Sequence, residues 1–197
     1  MELVEQLTNL RQEFSEKRPV KWDNFPDIEM YKDQVLSYME RQFLGTGDLQ
    51  LTPAMVNNYV KSGVLPRTTG KKYSKEHLAY LTAICILKQV LILNDADTLI
   101  KEKLKSTDIE SFYNNSCKLL DASLTNVAEL ISSQATKEDL SSIVLEMAIS
   151  SYAQKIACQK LIELMRNNAE AEEKSAEKKS AETKSSEKKS EKKKVNK

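Results

Sequence analysis

A chain of 197 residues with a net charge of +1 is long enough to bury a core of its own, without disulfide or metal staples. Four glycines and four prolines, against 40% hydrophobic and 30% charged residues, exclude a turn-rich sheet protein and point to helices joined by short connections. The three cysteines, Cys85, Cys117 and Cys158, are odd in number and lie far apart in apolar sequence, which argues for buried thiols in a reducing cytoplasm rather than a disulfide or a CxxC metal site.

The chain begins MELVEQLTNLRQEF, amphipathic and acidic where a secretory leader is basic and then continuously apolar, so a cytoplasmic protein is expected. Leu3, Leu7, Leu10 and Phe14 repeat at helical spacing, and Pro19 ends that helix. After KRPVKWDNF, Asp27 is the expected cap of a second helix, with Ile28, Tyr31, Val35, Tyr38, Met39 and Phe43 on one face and Gly45 and Gly47 at its end. Thr52 caps a third, and Pro53 suits its first turn, where the missing donor costs nothing. This helix is short, because Gly63 stops it. Met55, Val56, Tyr59 and Val60 form its apolar face, and Ala54, Asn57, Asn58 and Lys61 the opposite one. Asparagine is a poor helix former, so two side by side ask for a reason. Either they are tolerated on a solvated face, or their amides present donor and acceptor together, the chemistry that pairs with adenine edges in a major groove.

Val64, Leu65 and Pro66 then anchor the base of a loop, Gly70 permits a tight reversal at its tip, and Tyr73 returns the chain to the core. Ser74 caps a long helix whose Leu78, Leu81, Ile84, Cys85, Leu87 and Leu91 face inward. The run from Ala79 to Leu93 is broken by Thr82, Lys88 and Gln89 and is shorter than the roughly 20 residues of a membrane span, so no membrane partner is expected. Residues 53 to 75 hold Lys61, Arg67, Lys71, Lys72 and Lys75 and no acid, on a body that is otherwise acidic. A basic window on an acidic body marks either an oriented anion-binding surface or a solvated loop that is merely rich in lysine. Helix, turn, short helix, basic loop, core helix is the plan of a winged helix-turn-helix, in which a short helix enters the groove and a lysine loop grips phosphate. The candidate DNA-binding residues are Thr52, Asn57, Asn58, Lys61, Arg67, Lys71, Lys72 and Lys75.

NYVKSGVLPRTTGKKYSKEHLAYLTAI resembles the DNA-binding module of MerR-type transcription regulators through Tyr59, Gly63, Leu65, Pro66, Gly70, Tyr73, Leu78, Leu81 and Ile84. PDIEMYKDQV, LTPAMVNNYVK, KKYSKEHLAYL and ILKQVL together resemble a bacterial domain-of-unknown-function family regarded as MerR-like, over roughly residues 25 to 150. The resemblance implies a winged helix-turn-helix, double-stranded DNA as partner and a homodimer formed through C-terminal helices. It does not supply the base contacts. Asn57 and Asn58 stand where the regulators carry an arginine and a first tyrosine, and Lys71 and Lys72 where they carry the wing arginine.

Ala96, Leu99, Ile100 and Leu104 mark a short helix from Asp95 to Lys105. From Asp108, Tyr113, Cys117, Leu120, Leu124, Val127 and Ile131 step by four and three, the spacing of a coiled-coil seam. Thr136 opens the next helix, where Leu140, Val144 and Met147 form one stripe and Leu145, Ile149, Tyr152 and Ile156 a second. One stripe suits a hairpin partner and the other a second subunit, although an intramolecular bundle fits the same pattern. From Ala169 the chain is a Lys/Glu/Ser tail with a five-residue near-repeat that matches no helical face, expected to be disordered or transiently helical. The expected class is thus all-α with a small β wing, divided as an N-terminal helix and connector (1–24), a MerR-like module (25–105), a C-terminal helical hairpin or bundle (106–168) and a tail (169–197). No cofactor is expected, nor an enzyme: His77 is the lone histidine, phosphate loops and metal spacings are missing, and the carboxylates are abundant but too scattered for a diad to be picked out. The competing class is a protein-interaction adaptor built on the same scaffold.

Overall fold

Residues 2–42, 51–131 and 135–194 are described by the structure, a computed structural model. In chain order they form α1 (Leu3–Glu16), a 3-10 turn (Trp22–Asn24), β1 (Met30–Tyr31), α2 (Lys32–Glu40), α3 (Pro53–Ser62), β2 (Lys72–Tyr73), α4 (Lys75–Leu87), α5 (Leu93–Leu104), α6 (Ile109–Leu130) and α7 (Lys137–Lys194). The class is mostly helical, with one two-stranded sheet among the described residues. Residues 1–155 form one unit and residues 156–197 a second.

Helix α4 is the axis of the first unit. Leu78, Ala79, Leu81, Thr82, Ala83, Ile84 and Cys85 are all buried, so the helix is covered nearly all round and reads as a core element rather than an amphipathic surface one. Thr82 avoids a desolvated hydroxyl by donating to the Leu78 carbonyl at 2.8 Å. Val35 and Met39 of α2, Val56 and Tyr59 of α3 and Ile100 of α5 close round it. Burial of the Cys85 thiol pushes its pKa up to about 11, which makes it an inert packing group. Cys158 departs from the expectation of a buried thiol and is exposed on α7.

The second helix begins later than its sequence suggests. Asp27 is exposed and Ile28 is 71% exposed; the chain stays extended through Met30 and Tyr31, which pair antiparallel with Tyr73 and Lys72, and α2 starts at Lys32. Strand pairing with a segment forty residues away overrides the local helical pattern, a tertiary contact that periodicity cannot encode. The Tyr31 N–H then donates to Gln34 Oε1 at 2.9 Å and satisfies the helix start. The helix end expected around Phe43, Gly45 and Gly47 lies outside the described residues.

Helix α3 runs as its sequence dictates. Thr52 Oγ1 accepts from the Met55 N–H at 3.2 Å, Pro53 fills the first turn, and Gly63 closes the helix at φ 76°, a conformation that any Cβ would strain. Val64 and Leu65 plunge into the core at 4% and 0% exposure. The chain then reverses at Gly70 (φ 64°) and Lys71 (φ 69°), between Thr69 and Lys72, which face each other across a bridge. Two successive positive φ angles make a type I′ reversal, whose twist matches that of paired strands. Lysine in this left-handed conformation costs about 1 kcal/mol, so Lys71 is not there for the stability of the turn.

Helix α6 does more for the first unit than its seam spacing suggests. Phe112 and Tyr113 are buried in the same core as α4, and Cys117 packs against it. Further along, Val127 and Ile131 join Leu7 with Leu3, Phe14, Leu140, Ile143 and Met147 in a separate cluster beneath α1. Arg11 Nε donates to the Ala128 carbonyl at 3.2 Å, and Arg18 Nε to Asp121 Oδ1 at 2.5 Å, which pin α1 along α6. Both ends of the stripe are therefore covered by the chain itself. Helix α7 opens on a capping box in which the Thr136 N–H donates to Asp139 Oδ2 at 2.8 Å and the Asp139 N–H to Thr136 Oγ1 at 3.2 Å. It continues through the Ala, Glu and Lys of the tail, strong helix formers, as far as Lys194.

Candidate nucleic-acid interface

The outward face of α3, the start of α2 and the reversal at Gly70 enclose an open groove of about 600 Å³ lined by Tyr31, Lys32, Asp33, Asn57, Val60, Lys61, Thr68, Lys71 and Tyr73. Its charged walls are three lysines against one aspartate. The β1–β2 pairing fixes this geometry, since it ties the strand leading into α2 to the strand leaving the reversal. Cations concentrated in a concave, partly apolar cleft raise the local potential more than the same charges on a flat surface.

Of the eight candidates read from the sequence, the groove gathers Asn57, Lys61 and Lys71. Asn58 is exposed one position round α3, and its carbonyl accepts from Ser62 Oγ at 2.8 Å. Thr52 is spent on capping. Arg67 is exposed at the base of the loop. Lys72 lies with Nζ 5.5 Å from the centroid of the Tyr31 ring, on the strand whose Tyr73 lines the groove. Lys75 turns away: its Nζ sits 5.0 Å over the Trp22 ring and 4.0 Å from Asp27 Oδ1, a packing role that ties the α4 start to the N-terminal connector.

Lys32 is the participant that sequence reading missed. Its Nζ donates to Asn57 Oδ1 at 2.7 Å, across 25 residues of chain. A helix read from Asp27 onwards places residue 32 inside a turn with no relation to α3. The sequence held no signal for it: with the helix capped at Asp27, residue 32 falls past the first turn, and only the observed start at Lys32 sets the ammonium against the macrodipole.

Behind the groove, His77 closes the start of α4. Its Nδ1 accepts from the Ser74 N–H at 3.1 Å, which leaves the proton on Nε2, a buried nitrogen without a hydrogen bond. Burial holds the ring below its ordinary pKa of 6.5, and the Arg67 carbonyl, Glu76, the Pro66 carbonyl and Glu29 oppose that shift without cancelling it. The folded ring binds a proton less readily than the unfolded one. Its contribution to stability is therefore complete above about pH 6.5 and is lost as pH falls towards the folded value. The carboxyls of Asp108 and Asp139, each held low by backbone and hydroxyl donors of Ser111 and Thr136, lose their contributions only in more acidic solution. Urea midpoints of the native chain should decline from pH 7 to pH 5. His77→Gln, which keeps an acceptor for the Ser74 N–H, should show a flat profile over that window.

Among the described residues no group of three His, Cys, Asp or Glu side chains could hold a metal ion, and no helix is long and apolar enough to cross a membrane. No curated protein and no solved structure matches the chain. Tyr113 Oη donates to the Val20 carbonyl at 2.6 Å, which clasps the end of the main core to its beginning. That clasped stretch has a counterpart in sequence: a domain described as "Domain of unknown function (DUF1836)" covers residues 20–116.

Proposed function

We propose that this chain is a DNA-binding protein, a transcription regulator of MerR-like winged helix-turn-helix plan in which α3 is the recognition helix and the reversal at Gly70 the tip of a basic wing. The observation that supports this reading is the groove, where the exposed amide of Asn57 stands among Lys32, Lys61 and Lys71. Lysines in such a setting grip phosphate as point charges, while amides address base edges. The direct test is a titration of the full chain with labelled duplex DNA at several salt concentrations. Binding that weakens linearly in log salt supports the reading, and absence of binding at low salt removes it.

The same reading pairs two copies through α7. The α6 stripe is covered within the chain at both ends, whereas Leu145, Ile149 and Tyr152 of α7 are 64%, 61% and 65% exposed. Symmetry would then present two modules to two half-sites. The double variant Ile149→Glu, Tyr152→Glu should sediment as a monomer at micromolar concentrations where the native chain is a dimer, and its DNA affinity should fall because the second contact is no longer intramolecular. The exposed stripe also favours a second reading, a non-enzymatic adaptor that receives another protein there. That reading takes over if duplex DNA is not bound.

A further inference from the structure

Asn57 is not a free amide, and this changes what it can read. An ammonium has donors and no acceptor, so the atom turned towards Lys32 Nζ must be the amide oxygen, and the orientation of Asn57 follows from chemistry rather than from assignment. One lone pair of Oδ1 is given to Lys32, and Nδ2 keeps its two N–H groups with no acceptor among the described residues. Lys32 Nζ gives one N–H to Asn57 and retains two. The pair therefore presents two donor groups side by side in the groove. Lys32 is the first residue of α2, where the helix dipole repels a cation, and the helix gains nothing from a lysine there. Asp33, the carboxylate in the lining, makes no hydrogen bond or ion pair with either member among the described residues.

We propose that Lys32 determines specificity: its ammonium, held beside the Asn57 amide, adds a donor that selects guanine over adenine at the base pair facing α3. This rests on the DNA-binding reading above. An asparagine alone recognises adenine with Nδ2 on N7 and Oδ1 on the N6 amino group, and here that amino group, itself a donor, would be brought beside an ammonium with no acceptor to offer it. Guanine offers two acceptors on its major-groove edge, N7 and O6, one for Nδ2 and one for Nζ. Adenine and cytosine each turn an amino group towards a donor, which leaves desolvated donors facing each other.

The test is selection from a randomised duplex library with the full chain as native protein, Lys32→Met and Asn57→Ala. The native protein should enrich guanine at one position of its site. Lys32→Met keeps the aliphatic stem and removes the added donor, so the ratio of guanine to adenine at that position should drop about ten- to a hundredfold and adenine should take over. Asn57→Ala should lose most of the preference there while the other positions keep theirs. Ratios rather than affinities are compared, because the lost charge weakens all duplexes alike. A native preference for adenine, guanine preference unchanged in Lys32→Met, or duplex binding with no preference at any position overturns the inference and leaves the DNA-binding reading standing. Failure of the native chain to retain any duplex overturns both.

Discussion

Replacing Lys61, Lys71 and Lys72 together by alanine is expected to weaken duplex binding about a hundredfold at 0.15 M salt and to flatten its salt dependence by close to three units in the log–log slope. Each phosphate contact releases counterions worth roughly 0.9 of slope on duplex DNA. Three contacts then contribute about 2.7, or somewhat over two decades of affinity between 1 M and 0.15 M salt. The loss should therefore vanish towards 1 M, which separates it from a defect in base recognition. Specific and random duplexes should weaken alike, since phosphates carry no sequence. Lys75→Ala is the matched control: its ammonium lies over Trp22, away from the groove, so it should cost the fold about 0.5 to 1 kcal/mol and leave the slope unchanged. Lys71→Gly is the second control. It removes one cation while relieving a lysine held at φ 69°, so it should lower the slope by about one unit while stability rises, an opposition that unfolding cannot mimic. If the triple variant and the native protein bind with the same slope, the groove is not a phosphate grip.

The sequence carries the local half of this architecture plainly. Thr52, Pro53 and Gly63 are each a backbone requirement with a residue to match, so the bounds of α3 could be read directly, and with them the outward placing of Asn57 and Lys61. The same holds for Ser74 at the start of α4 and Asp108 at that of α6. What stayed hidden depends on residues far apart in the chain. Tyr31 sits at a helical position in its own window, and only Lys72 across the sheet keeps it extended, which sets the start of α2 and so brings Lys32 to Asn57. Tyr113 presents a similar case. Its spacing with Cys117 and Leu120 is that of a seam, and spacing alone does not say whether the covering surface belongs to the same chain or another. The boundary drawn at Lys105 therefore cuts through the core that Phe112 and Tyr113 complete.

That core supplies the largest expected change in stability. Tyr113→Ala should destabilise the first unit by about 3 to 5 kcal/mol, much of the total stability of an ordinary domain. The side chain is 1% exposed, with its ring 5.1 Å from Phe25 and 6.3 Å from Trp22 by centroid, so its removal leaves a cavity in an aromatic cluster that no neighbouring backbone can easily collapse. Tyr113→Phe isolates the hydroxyl. It keeps the rings in contact and strips the Val20 carbonyl of its donor, at a cost of about 1 to 2 kcal/mol. Burial already holds the phenol far above its ordinary pKa, so neither effect should vary with pH below the alkaline range. Chemical denaturation followed by the fluorescence of Trp22, the one tryptophan and a neighbour of Tyr113, reads both variants. A fragment ending at Lys105 lacks Phe112 and Tyr113 altogether and should show no cooperative transition, even though it keeps α3, the reversal and all of α4. A cost below about 1 kcal/mol for Tyr113→Ala, with a cooperative fragment, would mean that α6 rests on the module without completing it. The groove would then be assembled by residues 25–105 alone.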